Sequence, residues 1–173
     1  MRFLAGKGNV VFPHINENGS CGYEMKNKAF TGFSKGGEKT LWLSNVRKSD
    51  TQVIITESAI DALSYAQSQR PKNATFMSVG GNWDANTEKL VKKYFEKRLQ
   101  INVVMAFDND RAGHKMAEKM TAILKEAGLK GEIQHNFPNK GKDWNDHLQR
   151  ENKERLQGRS QGIELNLQRG LGI

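Results

Sequence analysis

At 173 residues, 36% hydrophobic and 8% aromatic, the chain can bury one real core, as a single domain or a domain with an appendage. Twenty-seven Lys and Arg against nineteen Asp and Glu leave a formal charge of +8, which suits a polyanionic partner or simply well-solvated helix faces. The single cysteine, Cys21, excludes a disulfide framework and a cysteine-built zinc site within one chain, and no apolar run approaches the ~20 residues that cross a bilayer.

Met1-Arg2-Phe3-Leu4-Ala5-Gly6 runs into Lys7 and Gly8 instead of an apolar signal core, so the expected compartment is cytoplasmic, with no membrane partner. Asn9–His14 and Cys21–Met25 flank Asn16-Glu17-Asn18-Gly19, and Asn-Gly between such runs predicts a hairpin. Cys21 is then expected as a half-buried strand thiol. Thr31–Lys39 reads as a Gly/Lys loop that either touches phosphate through backbone N–H groups or is a plain connection; it lacks the spacing of a P-loop. Thr40–Leu43 reads as a further short strand. Residues 1–50 are therefore expected to form an antiparallel β lead-in.

From residue 53 the rhythm becomes strand, helix, strand, helix. Val53–Thr56 leads to a helix over 58–69 with Ile60, Leu63 and Ala62 or Ala66 on one face, ended by Pro71. Thr75–Val79 is a second strand, stopped by Gly80-Gly81. Asn82 or Asp84 caps the next helix, which sets Leu90, Val91, Tyr94, Phe95 and Leu99 at core spacing. A strand over 102–107 precedes a helix over 111–127, with Met116, Met120, Ile123 and Leu124 inward and Gly128 as its stop. Glu132–Phe137 is a weaker strand, and a short helix starts near Lys142. The fold class is thus α/β: a parallel, Rossmann-like four-stranded sheet flanked by helices over 51–150. Residues 151–173 lose the pattern and are expected as a poorly ordered tail.

Two strands in this stretch end in acids. Glu57 closes one, and Asp108-Asn109-Asp110 closes another before Arg111-Ala112-Gly113. Ligands of such sheets gather at the carboxyl ends of the strands. Three carboxylates brought there repel one another unless a cation intervenes, and Mg²⁺ held by oxygens is the ordinary solution. Glu57 and Asp110 have a plainer reading as helix-start acids favoured by the macrodipole. Trp83 and Trp144 stack on bases or anchor the core. His114 and His147 read as metal ligands or, more simply, as surface residues beside Lys115 and Asp146.

Thr56-Glu57-Ser58-Ala59-Ile60-Asp61-Ala62-Leu63 after one strand, with Phe107-Asp108-Asn109-Asp110-Arg111-Ala112-Gly113 after another, resembles the Toprim domain shared by bacterial-type primases, topoisomerases and several nucleases. Gly141-Lys142-Asp143 is similar to the Lys-Asp-Pro-Asp segment of primases. Phe12-Pro13-His14, Gly22-Tyr23-Glu24 and Gly36-Gly37-Glu38 resemble Toprim-like proteins of plasmids and integrating elements. The likeness spans roughly residues 8–150. It implies Glu57 as general acid/base or metal ligand, and Asp108 and Asp110 as ligands of Mg²⁺ or Mn²⁺. Further implied site residues are Asp61 as an outer ligand or partner of a basic group, Gly113 where the helix starts close to the metal, and Lys142 with Asp143 on the rim. Asn145 stands where primases carry a second acid, with Asp146 beside it, and no tyrosine can be assigned a topoisomerase role.

The resemblance implies a Mg²⁺-dependent, primase-like phosphoryl-transfer domain acting in DNA replication or in mobilisation of a plasmid or mobile element. Its implied partners are nucleic acid, above all single-stranded DNA, and a relaxase, helicase or other primase domain. Two alternatives stand beside it: a non-catalytic module that binds metal and single-stranded DNA, and a Toprim nuclease. A flavodoxin-like or receiver-like protein would need a phosphoacceptor or nucleotide pocket that the sequence does not display.

Overall fold

The computed structural model describes residues 2–4, 8–16, 18–81 and 84–170, with backbone alone for 2–4 and 161–170. Strands β1 (Arg2–Leu4), β2 (Asn9–Asn16), β3 (Gly19–Lys26) and β4 (Thr31–Phe33) form an antiparallel sheet in that order. The expected hairpin joins β2 to β3, and Gly19 takes a φ of 108° that a side chain would resist. Period-two alternation on β2 sends Phe12 and His14 inward, and Phe12 meets Trp42 edge-on at 5.6 Å. Cys21, half-buried, is the extra residue of a bulge opposite His14 and Ile15. The segment expected as a Gly/Lys loop begins with β4, whose three residues pair with β3. Gly32 is bare because the Phe30 ring occupies the space its Cβ would need, so no alternating side-chain pattern announced the strand.

The second sheet contains β5 (Trp42–Leu43), β6 (Gln52–Thr56), β7 (Ala74–Ser78), β8 (Asn102–Met105) and β9 (Ile133–His135), in the order β5-β7-β6-β8-β9. Strands β6 to β9 run parallel, while β5 lies antiparallel against β7. The sheet is therefore mixed and five-stranded, a correction to the four parallel strands expected. Thr40–Leu43 falls in the lead-in by sequence yet caps the edge of the second sheet, a pairing set by long-range contact that local pattern does not encode.

Four helices cover this sheet: α1 (Ala59–Gln69), α2 (Ala85–Phe95), α3 (Arg111–Glu126) and α4 (Trp144–Gly170). Val53 and Ile55 on β6, with Val103 and Met105 on β8, face a layer built from Val91, Phe95, Met120, Ile123 and Leu124. The alternate residues Ile54, Val104 and Ala106 face Tyr65 and Trp144. A central strand buried on both faces reads as a continuous apolar run, as β6 does. On α1 the buried face is Ala59, Asp61, Ala62, Ser64 and Tyr65, while Ile60 and Leu63 pack only partly, against the N-terminal sheet cluster. The α1 face expected from spacing was thus rotated, because this helix is gripped from two sides.

Asp84 caps α2 by accepting from Thr87 N at 2.7 Å; Asn82 and Trp83 lie outside the described residues. The largest departure is α4. Where the sequence suggested a short helix and then a tail from 151, the helix runs 27 residues to Gly170. Residues 153–160 are exposed, so no apolar stripe is required of them, and hydrophobic periodicity was blind to helix formers such as Lys153, Glu154, Arg155 and Leu156. Among the described residues no helix is long and apolar enough to cross a membrane.

Candidate functional site

Strands β6 and β8 are neighbours at the centre of the second sheet, and the acids that follow them emerge side by side. Glu57 leaves β6 with its carbonyl held by Ser78 Oγ at 3.1 Å and Gly81 N at 3.0 Å. Gly80 and Gly81 turn away from β7 with φ of 71° and 83°, values that favour glycine and let the turn reach Glu57. Asp108 follows the buried pair Ala106-Phe107. Asp110 caps α3, accepting from Gly113 N at 2.8 Å, so its helix-start role is a structural fact. A Cβ on Gly113 would stand 2.1 Å from the carbonyl oxygen of Asp108, so only glycine lets α3 begin against the acidic loop.

Asp61 lies in the first turn of α1, 6% exposed. It accepts from Ser58 Oγ at 2.5 Å and from the backbone N–H of Asn145 at 3.3 Å. Its hydrogen-bond partners are thus a hydroxyl and an amide, and the basic group whose charge acts on it is Lys26. Asp143 accepts from Asp146 N at 2.7 Å at the start of α4, and Asn109 N donates to the Lys142 carbonyl at 2.8 Å, which ties the acidic loop to that segment. The Lys142 ammonium stands 3.1 Å from Asp110 and 3.9 Å from Asp108.

The carboxylates differ sharply in their electrostatics. Asp108 is 8% exposed, and its Oδ1 is buried without a hydrogen-bond partner. Burial, then the neighbouring charges of Glu57, Asp61 and Asp143, raise its pKa to about 7. Glu57 is raised by burial and by Asp61 and Asp110, and Asp61 chiefly by burial. Asp110 moves the other way, lowered first by the Gly113 N–H and then by Lys142. Three acids that resist ionisation around one orphaned oxygen form a site in need of positive charge.

These acids line one side of a groove of about 640 Å³. Glu57, Asp61, Asp108 and Asp143 stand on the side of the second sheet; Glu24, Lys26, Asn27, Lys28 and Thr31 come from β3, β4 and their turn, with Lys26 paired to Glu24 at 3.3 Å. The hard oxygen donors and the orphaned Asp108 oxygen fit Mg²⁺ or Mn²⁺. Among the described residues no three acidic, histidine or cysteine groups are clustered tightly enough to cage an ion.

The structure brings Glu57, Asp61, Asp108 and Asp143 to one groove, sets Asp110 and Lys142 beside Asp108, and places Gly113 under it. Trp144 is 1% exposed and edge-on to Tyr65 at 4.6 Å, so it anchors the core and offers no face to a base. His147, expected at the surface, is 3% exposed against Trp144, with Glu151 3.4 Å away. His114 meets Asn109 and the Phe137 ring. Sequence reasoning missed Lys26, Lys28 and Ser58. Nothing local marks the lysines, because they matter only once the hairpin folds over the acids; Ser58 was findable as an N-cap three residues before Asp61.

No curated protein matches the chain. A chain in the structure of bacteriophage T7 lagging-strand DNA polymerase interacting with primase domains of two gp4 subunits bound to an RNA/DNA hybrid and dTTP superposes with a TM-score of 0.61 at 20% identity. The match covers 89% of this chain and 78% of that one, a likeness of fold. The family model described as Toprim-like matches residues 54–148, from β6 through the start of α4 and including Glu57, Asp61, Asp108 and Asp143. With more than half its length in that match, the chain belongs to the Toprim-like family, and its fold is primase-like.

Proposed function

We propose that this domain carries out Mg²⁺-dependent phosphoryl transfer on nucleic acid, in a primase-like manner, during replication or mobilisation of a plasmid or mobile element. The observation that carries the reading is the orphaned, buried Asp108 oxygen among Glu57, Asp61 and Asp143, in a groove faced by Lys26 and Lys28. Asp108, with Asp110 or Glu57, would hold the ion, which when bound neutralises charge on a phosphoryl group in transfer. Glu57, whose carboxyl is pushed above its ordinary range by burial and then by Asp61 and Asp110, is suited to accept a proton from an attacking hydroxyl or return one to a leaving oxygen. Lys26 and Lys28 would grip the phosphates of a single strand from the opposite wall. Lys142 would exchange its carboxylate partners for phosphate.

A second reading, a non-catalytic module that binds metal and single-stranded DNA beside a relaxase, helicase or other primase domain, is favoured by Lys142, which already meets the charge of Asp110. The two are separated by assaying primer synthesis and cleavage of a labelled strand with Mg²⁺ or Mn²⁺, in wild type, Glu57→Gln and Asp108→Asn. Phosphoryl transfer requires turnover in wild type and a loss of about 10²-fold or more in each variant, with thermal melting intact. Calorimetry that shows metal and strand binding without turnover would select the binding module, and degradation without synthesis would select a nuclease.

A further inference from the structure

We propose that a hollow beside the acidic groove is a nucleobase subsite, seating the base of a nucleotide whose phosphates reach the groove; this rests on the phosphoryl-transfer reading above. The hollow, of about 210 Å³, lies between the inner face of the N-terminal sheet and the Gly80 turn. It is smaller than the ~300–1,000 Å³ of sites for drug-sized ligands, so it suits a single ring system. Glu24, Thr31 and Gly80 line both it and the groove, which makes the two one continuous depression.

Its wall is chemically specific. His14, 1% exposed, lines the hollow, and its Nδ1 accepts from Thr40 N at 3.1 Å. That bond assigns the proton of the neutral ring to Nε2 and makes the remaining ring nitrogen a donor. Burial lowers the pKa of His14, which keeps the ring neutral. The imidazole is fixed by the Phe33 ring, edge-on at 5.0 Å, and Phe33 gives the hollow an aromatic surface. Glu24 supplies carboxylate oxygens steadied by Lys26 at 3.3 Å, and Thr31 adds a hydroxyl. Lys39 reaches from the N-terminal region to donate to the Gly80 carbonyl at 2.5 Å, which pins the far rim.

One fixed donor, one carboxylate acceptor and an aromatic face match the edge of a base that sets a ring or carbonyl acceptor beside an N–H donor. Cytosine, adenine and guanine offer an exocyclic amine there, and uracil and thymine their ring N3–H. The subsite therefore recognises a base edge independently of the phosphates.

The test uses phosphate-free nucleosides with chelator present, so that the acidic site plays no part. Cytidine, adenosine, guanosine and uridine are titrated into the full chain by heteronuclear NMR. Saturable shifts are expected at residues around the hollow. Glu24→Gln, which replaces a charged acceptor by a neutral one, and His14→Phe should each weaken the nucleosides about tenfold. His14→Gln, which keeps a donor, should restore most of the binding and guards against simple misfolding. Absence of saturable binding by any nucleoside in folded wild type would overturn the proposal, as would titrations unchanged by Glu24→Gln and His14→Phe. Either result is independent of the Asp108→Asn turnover assay, so failure of the subsite and failure of the phosphoryl-transfer reading are told apart.

Discussion

The two walls of the groove differ in charge and in construction. The second sheet contributes acids at the ends of central strands, on a scaffold buried to 0% exposure at Val53, Ile54 and Ile55. The N-terminal sheet contributes Lys26 and Lys28, with Asn27, Thr31 and the Glu24 that pairs with Lys26, from β3, β4 and the turn between them. Rigid central strands can hold like charges close, against their repulsion, because the packing around them is costly to disturb. A basic wall needs no such restraint, since long ammonium side chains find phosphate by flexing. The acids should therefore be intolerant of small changes in geometry and the lysines tolerant of them.

The sharpest way to break that contrast is Gly113→Ala. Its Cβ would stand 2.1 Å from the Asp108 carbonyl oxygen, so α3 or the acidic loop must shift. The expected loss is about 3 kcal/mol of unfolding free energy, read by urea denaturation, together with loss of metal affinity. A variant as stable as wild type would mean that the scaffold is softer than its packing implies.

The next effect is in pH. With its ordinary pKa near 3.8 and a folded value of about 7, Asp108 sheds its proton in the unfolded chain first. Its contribution to stability is whole below about pH 4 and is lost as pH rises through about 7. Glu57 and Asp61 act in the same direction. His14, lowered by burial, acts oppositely: its stabilisation is present above about 6.5 and is lost as pH falls. Without divalent metal, the melting temperature of wild type should therefore fall relative to that of Asp108→Asn between pH 5 and pH 8, and saturating Mg²⁺ should close the gap. A constant difference across that range would remove Asp108 from the titrating set.

The smallest effect belongs to the basic wall. Lys28→Met should weaken single-strand binding modestly and lower the slope of log affinity against log salt by about 0.7, with thermal stability unchanged. An unchanged slope would take Lys28 off the strand's path.

Much of the acidic wall was legible in the sequence, since β6 and β8 are apolar runs that end in acids, and Asp110-x-x-Gly113 is a helix start that needs only neighbouring residues. The basic wall was not. Lys26 and Lys28 become functional candidates only by lying across space from Glu57, a relation no local period encodes. The same limit hid β5, whose two residues pair with a strand more than thirty positions away. It also hid the burial of His147, which depends on α4 packing on α1 through Ser68 and Glu151. The length of α4 escaped for the opposite reason: its outer turns rest on local propensity, where the search was for an apolar face.

The position of Lys142 has a consequence of its own. With its ammonium 3.1 Å from Asp110 and 3.9 Å from Asp108, the domain carries a tethered counter-ion at the seat proposed for metal. Arrival of a divalent ion is then an exchange and not a simple addition. On the phosphoryl-transfer reading, the displaced ammonium, on a side chain already 64% exposed, would be released beside the groove to meet an entering phosphate. The metal concentration at which activity begins would then be set by how firmly one lysine holds its place.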